Sequence, residues 1–117
     1  MFAKSHRFHG YGSLKGVYGR GQNVRGTLIS LKFSSRGPNK PYRVAVVVSR
    51  KVNKSAVVRN RIRRRIYQQV RQTAETIPPG TDLVFTVFSD QVAEMPTDKL
   101  SEQISSLLQK ASSHFGV

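Results

Sequence analysis

The sequence predicts one α+β domain, a single-domain α-β sandwich with the order helix, strand, strand, helix, strand, helix. Three observations predict it. Apolar side chains alternate at period two from Val24 to Phe33 and from Asp82 to Phe88, as in half-buried strands. Apolar side chains recur at helical spacing in residues 56–71 and again in 97–111, so each helix can lay one stripe on a sheet. The 117 residues suffice for one hydrophobic core and not for two ordinary ones. No internal repeat or low-complexity stretch divides the chain, and one domain is expected over residues 1–117.

In chain order, residues 1–12 are polar, basic and Gly-rich, which predicts a flexible arm that orders on contact. Ser13 is suited to cap a short helix with Leu14, Val17 and Tyr18 on one side, ended by Gly19-Arg20-Gly21. Val24 to Phe33 reads as one strand, with Ile29, Leu31 and Phe33 on one face and Leu28, Ser30 and Lys32 on the other. The turn formers from Ser34 to Pro41 separate it from the Val-rich segment Tyr42 to Ser49, so a hairpin with a central second strand is expected.

The next segment, AVVRNRIRRRIYQQVR, is amphipathic. At 100° per residue, Val58, Ile62, Ile66 and Val70 share an arc of roughly 120°, the width of a core-facing stripe. Asn60, Arg61, Arg64, Arg65 and Arg71 fall largely opposite. Arg59 and Arg63 lie near the apolar edge, where their stems pack and their guanidinium groups reach outward. Pro78-Pro79-Gly80 is expected to stop this helix, and Asp82 to Phe88 forms the next strand, with Leu83, Phe85 and Val87 on one face. Thr97 then caps a last helix with Asp98 in its first turn, and Leu100, Ile104, Leu107, Leu108 and Ala111 should cover one side of the sheet.

Charge indicates the kind of partner. Twenty Lys and Arg against six Asp and Glu give a net charge of +14 and a pI near 11.2, which calls for a polyanion. Arginine dominates the basic helix, and a planar guanidinium both clamps phosphate bidentately and stacks on bases. No acid occurs from residue 43 to residue 74, so the helix carries self-repulsion that a polyanion would relieve. No run approaches eighteen apolar residues, and the start MFAKSHRFHG has no apolar signal core, so neither a membrane partner nor secretion is expected. The chain has no cysteine, which removes disulfides, thiolate metal sites and thiol nucleophiles and fits a cytoplasmic setting. In that setting the Asn53-Lys54-Ser55 sequon carries no meaning.

The remaining motifs narrow the function. His6, His9 and His114 make a poor metal site without cysteine or a nearby acid, and no metal is expected in the protein alone. The stretch Gly10 to Gly16 lacks the preceding strand and the Gly-Lys-Ser/Thr of a nucleotide-binding loop. Phe8, Tyr11, Tyr18, Phe33, Tyr42 and Tyr67 are interleaved with basic residues, as in surfaces that stack unpaired bases. For Phe33 and Phe85, core packing competes with that role. Asp82, Asp90, Glu94 and Asp98 are too scattered to assign an acid and base pair, so no catalytic side chain is expected.

The stretch RVAVVVSRKVNKSAVVRNRIRRRI, residues 43–66, resembles the protein subunit of bacterial ribonuclease P. In that family an apolar strand ends in Ser-Lys-Lys-like residues, here Ser49-Arg50-Lys51, and runs through a short basic loop into an Arg-Asn-Arg helix, here Arg59-Asn60-Arg61 and then Arg63-Arg64. SLKGVYGRGQ is similar to the family's short first helix. Leu14 and Tyr67 depart from the family's commoner aromatic and Arg.

The resemblance implies an α-β sandwich similar to one domain of certain ribosomal proteins, with a left-handed crossover through the basic helix, against the usual hand. It implies a ribonucleoprotein that cleaves the 5′ leader from precursor tRNA, with the RNA subunit and Mg²⁺ performing the hydrolysis. The implied contacts to the RNA subunit are Arg50, Lys51, Lys54, Arg59, Asn60, Arg61, Arg63, Arg64 and Arg65. The implied contacts to the leader are Phe8, Leu14, Tyr18, Phe33, Tyr42 and Arg43. Ribonuclease P RNA and precursor tRNA are the expected partners, and DNA is not. The alternatives are a basic ribosomal protein on rRNA and a DNA binder, the latter opposed by the lack of a helix-turn-helix before residue 56.

Overall fold

The structure is a computed structural model that describes residues 21–37 and 39–112. The expected amino-terminal arm and the short helix after Ser13 lie outside the described residues. Four strands, β1 (Gln22–Arg25), β2 (Ile29–Ser35), β3 (Arg43–Val47) and β4 (Thr81–Val87), form one sheet in the order β1-β2-β4-β3. Two helices, α1 (Ala56–Gln72) and α2 (Thr97–Ser112), join short 3₁₀ turns at Ala74–Thr76 and Asp90–Ala93. β1 and β4 both pair antiparallel to β2, whereas β3 runs parallel to β4.

Two expectations are corrected. The segment from Val24 to Phe33 is a hairpin and not one strand: Val24 faces Leu31, and the chain reverses through Thr27 and Leu28. Gly26 closes the reversal by donating its N–H to Ile29 O at 2.9 Å. A Cβ at Gly26 would stand 2.6 Å from that same oxygen, which is why this position is glycine. Thr27 and Leu28 carry none of the usual turn chemistry, so the reversal leaves almost no mark in the sequence. The second correction concerns β3, which is an edge strand rather than the central partner of a hairpin. The chain leaves β3 through α1 and returns as β4, which inserts between β2 and β3.

Strand alternation gives the sheet two different faces. On one, Val24, Leu31, Phe85 and Val46 form a row across all four strands, flanked by Phe33, Leu83 and Val44 and by Ile29 and Val87. These residues join Ile62, Ile66 and Val70 of α1 and Leu100, Ile104, Leu107, Leu108 and Ala111 of α2 in one core cluster. Val58 packs against this cluster partly buried, so the whole expected stripe of α1 is used. The opposite face carries Asn23, Arg25, Ser30, Lys32, Ala45, Val47, Val84 and Thr86. Asn23 and Arg25 at its edge are exposed, whereas Ser30 and Val84 at its centre are buried, so this second face is polar and basic at its rim only.

α1 starts on Ser55, whose hydroxyl accepts the Val58 N–H at 3.4 Å. It ends at Gln72, before the prolines expected to stop it, because the Thr73 hydroxyl turns back to Gln69 O at 3.3 Å and Val70 O at 3.1 Å. Thr97 is the first helical residue of α2 rather than its cap, and Leu100 N–H reaches Pro96 O at 3.0 Å.

Candidate RNA-binding surface

The loop between β3 and α1 is fixed by its own polar groups. Val52 N–H donates to Ser49 O at 3.1 Å, and Asn53 Oδ1 accepts from Ser55 N–H at 2.8 Å. Arg59 reaches back from the first turn of α1, its Nη1 donating to Asn53 O at 3.0 Å and Lys54 O at 2.9 Å. Arg59 thus staples the loop to the helix, and Arg50, Lys51 and Lys54 are exposed on it. A loop already ordered loses less entropy when it takes an anion.

The other arginines of α1 divide by task. Arg63 lies half-buried, with Nη1 on Asn60 Oδ1 at 2.8 Å and Nη2 near Val48 O at 3.4 Å, so it orients the Asn60 amide. Arg61 is exposed and meets Glu94 at 3.1 Å across the surface. Arg64 is exposed, with no polar partner among the described residues. Arg65 departs from the expected outward arc: it donates to Val92 O at 2.6 Å and to Met95 O, which ties α1 to the segment leading into α2. Its position at the edge of the apolar stripe, beside Val58, puts those carbonyls within reach. Two nitrogens of the Arg65 guanidinium are thus taken by backbone carbonyls of the same chain.

The acids are confined to the later part of the sequence. All six lie between Glu75 and Glu102, and Asp90 and Glu94 partner Asn53 and Arg61 on the α2 side of the helix. The other flank, with Val57, Asn60, Arg63, Arg64 and Tyr67 around a shallow groove, has no acid.

The rim of the second sheet face continues this basic surface. Asn23, Arg25, Ser30, Lys32, Thr86 and Phe88 line one groove on it. A second groove, lined by Val47, Ser49, Lys51, Val52, Thr86, Val87 and Phe88, joins the sheet to the basic loop through Lys51.

Of the expected leader contacts, Phe33 is corrected. It is 3% exposed and belongs to the core face, because alternation along β2 sends its neighbours Lys32 and Ser34 to the second face instead. Arg43 lies half-buried on the second face, where Asp82 holds it through two bonds of 2.8 Å. Tyr42 is half-buried against the core, and burial pushes its phenol above the usual value while the nearby Arg71 pulls it back. Phe8, Leu14 and Tyr18 lie outside the described residues. Sequence reasoning put Lys32 on the face opposite Phe33 but gave no site role to it, to Arg25 or to Phe88. Placing Phe33 in the core was the signal that could have found Lys32.

A sheet with one face given to the core, bordered by an ordered basic loop and a helix rich in arginine, defines an RNA-binding domain. The chain belongs to the ribonuclease P family: the family model named Ribonuclease P matches residues 2–112. Among curated relatives, the ribonuclease P protein component of a Pseudanabaena species is 36% identical over 96 residues, 81% of either chain. That of a Synechococcus species is 35% identical over 95% of either chain. Among solved structures, the RNase P protein of Staphylococcus aureus superposes with a TM-score of 0.80 at 20% identity, covering 92% of this chain and 96% of that one. The protein from Thermotoga maritima gives 0.73 at 22% identity, covering 83% and 89%. The fold is the one those proteins share.

Proposed function

We propose that this chain works as the protein component of a cytoplasmic ribonuclease P ribonucleoprotein, binding the catalytic RNA and the 5′ leader of precursor tRNA. The observation that carries this reading is the pairing of two surfaces on one frame. The loop and outer helix face offer Arg50, Lys51, Lys54, Asn60, Arg61 and Arg64 to the phosphates of a folded RNA, and the grooves at the rim of the adjoining sheet face offer a path for an unpaired strand. Arg59 and Arg63 support the first surface by holding the loop and Asn60 in place. Along the sheet, phosphate contacts and stacking dominate, so the leader is accepted with little regard to its sequence.

The contribution is electrostatic and positional. Cationic side chains between two RNAs reduce their mutual repulsion and so favour substrate and Mg²⁺ binding. The described residues contain no group of three or more His, Cys, Asp or Glu able to hold a metal, and Asp82 is already shared by two arginines. We place Mg²⁺ with the RNA, whose phosphate oxygens are the hard ligands it prefers.

The test is multiple-turnover cleavage of a leader-bearing precursor tRNA at low Mg²⁺, by a bacterial ribonuclease P RNA with and without this protein, beside a protein-only control. Activity requiring both components is expected. With roughly five or six phosphates neutralised, affinity for the RNA should fall on the order of a thousandfold over a fourfold rise in salt. Absence of stimulation with a cognate RNA overturns the proposal in favour of a ribosomal role.

A further inference from the structure

The chain between β4 and α2 reads SDQVAEMP, and its mixture of apolar and acidic side chains decides how it sits. Val92 and Ala93 are buried in the core cluster, which leaves Asp90 and Glu94 exposed at either end of the 3₁₀ turn. The turn is held from several sides. The Ser89 hydroxyl accepts the Gln91 N–H at 3.2 Å, Glu94 N–H donates to Gln91 O at 3.2 Å, and Arg65 of α1 donates to Val92 O and Met95 O. Two carboxylates are thereby fixed beside the loop and helix that carry the cations.

Each carboxylate meets a residue of that basic surface. Asp90 Oδ2 accepts from Asn53 Nδ2 at 3.1 Å, and the same Asn53 accepts the Ser55 N–H at the start of α1. Glu94 faces Arg61 as a fork, with Oε1 3.1 Å from Nη1 and Oε2 3.5 Å from Nη2. At 100° per residue Arg61 falls between Arg64 and Arg65 around α1, so it stands where the basic outer face gives way to the acidic turn. The pairing occupies one N–H on each terminal nitrogen and leaves the others for a phosphate. A phosphate on the far side of the turn's edge, over Asp90 and Glu94 themselves, would meet two carboxylates within a Debye length of about 8 Å.

We propose that Asp90 and Glu94 form a fixed anionic border that sets which side of α1 an RNA occupies: Glu94 positions the Arg61 guanidinium, and both acids repel RNA that overlies the 3₁₀ turn. This role rests on the loop and outer face of α1 being the RNA surface. The exposed Arg50, Lys51, Lys54 and Arg64 attract any polyanion, and a non-specific RNA samples placements on either side of the helix. Like charge beside the basic surface removes the placements over the turn and leaves the one over Asn60 and Arg64 untouched, so it widens the gap between cognate and unrelated RNA.

The experiment is filter binding of the full chain to a bacterial ribonuclease P RNA and to a duplex RNA of unrelated sequence, using wild type, Asp90→Asn, Glu94→Gln, Glu94→Asp and Glu102→Gln. Glu102 lines a separate groove beside Gly26 and Thr27, so Glu102→Gln makes the same change in net charge away from Arg61. Glu94→Gln is expected to tighten binding of the unrelated duplex about threefold to fivefold, the range of one exposed charge contact, without tightening binding of the catalytic RNA. Asp90→Asn should act in the same direction, and Glu94→Asp, which keeps the charge, should hold the wild-type ratio of the two affinities. Unchanged duplex binding, equal tightening of both RNAs, the same fall in ratio from Glu102→Gln, or Glu94→Asp behaving as Glu94→Gln overturns the border but leaves the RNA surface standing. If wild type binds the catalytic RNA no more tightly than the duplex, the RNA surface itself fails and the border falls with it. Both acids are exposed, and urea midpoints equal to wild type confirm that the variants fold.

Discussion

Arg43 and Asp82 are direct partners in the parallel register of β3 and β4, and two bonds of 2.8 Å join them, Nε to Oδ1 and Nη2 to Oδ2. Arg36 adds a bond of 2.9 Å to the same Oδ1 and sends Nη2 to Pro41 O at 2.5 Å. One carboxylate, 1% exposed, therefore ties together the end of β2, the loop that follows it and the starts of β3 and β4. Edge strand β3 is reached by a long loop and left by a helix, so this tie helps to set its register. Asp82→Asn leaves two guanidinium groups without their charge partner. A loss of about 3 kcal/mol is expected, at the low end for a broken buried pair because both arginines keep some solvent. Urea unfolding measures it as a lower midpoint at unchanged slope.

The residues that made the helices legible were those with one strong periodic demand. Ile62, Ile66 and Val70, like Leu100, Ile104 and Leu107, have a single face to bury and bury it. The sheet was harder to read because strand order is a tertiary property. Nothing local in Tyr42 to Ser49 says that β4 will insert beside it, and Gly26 alone marks the first hairpin. Among the site residues, type and exposure were legible for Arg50, Lys51, Lys54 and Arg64. The internal tasks of Arg59, Arg43 and Arg65 were not, since each depends on carbonyl or carboxylate groups that only the fold brings near.

Gly80 shows such a dependence in the backbone. Its φ is +78°, and a Cβ there would lie 1.7 Å from Gly37 O, where the loop after β2 crosses the start of β4. Arg36 N–H donates to Gly80 O at 2.8 Å at the same crossing. Gly37 has φ +111° but open space around a hypothetical Cβ. Gly37→Ala should therefore cost only the conformational strain, about 1–2 kcal/mol. Gly80→Ala adds a backbone collision and should cost clearly more, or displace the loop. Thermal unfolding of the two variants side by side gives the order, and equal losses would refute it.

Tyr42 supplies a pH dependence. Its phenol is raised above 10.0 by burial, with Arg71 acting in the opposite direction. The unfolded chain then releases this proton first, so the folded state holds its full stability below about pH 10 and loses some as pH rises through the folded value. Tyr42→Phe is expected to reduce the alkaline fall in the urea midpoint. Arg71→Ala should move the Tyr42 phenolate absorbance to still higher pH, because it removes the positive charge that favours ionisation. A downward move would show that the guanidinium does not act on the phenol.

Arg64 and Arg65 are adjacent in sequence and opposite in use. Arg64 is exposed with no polar partner among the described residues, whereas Arg65 is bonded to the carbonyls of Val92 and Met95. If the outer face of α1 binds the catalytic RNA, Arg64→Ala weakens that binding and lowers the salt slope by about 0.7–0.9, one phosphate's share, with stability within about 0.5 kcal/mol of wild type. Arg65→Ala leaves two carbonyls short of a donor and loosens the join between α1 and the start of α2, at a cost of about 1–3 kcal/mol in stability. Its salt slope should stay at the wild-type value, because no phosphate contact is lost. Filter-binding titrations of each variant across a salt series, read beside urea unfolding, separate the two roles. A reduced slope for Arg65→Ala with full stability would return that residue to the RNA interface.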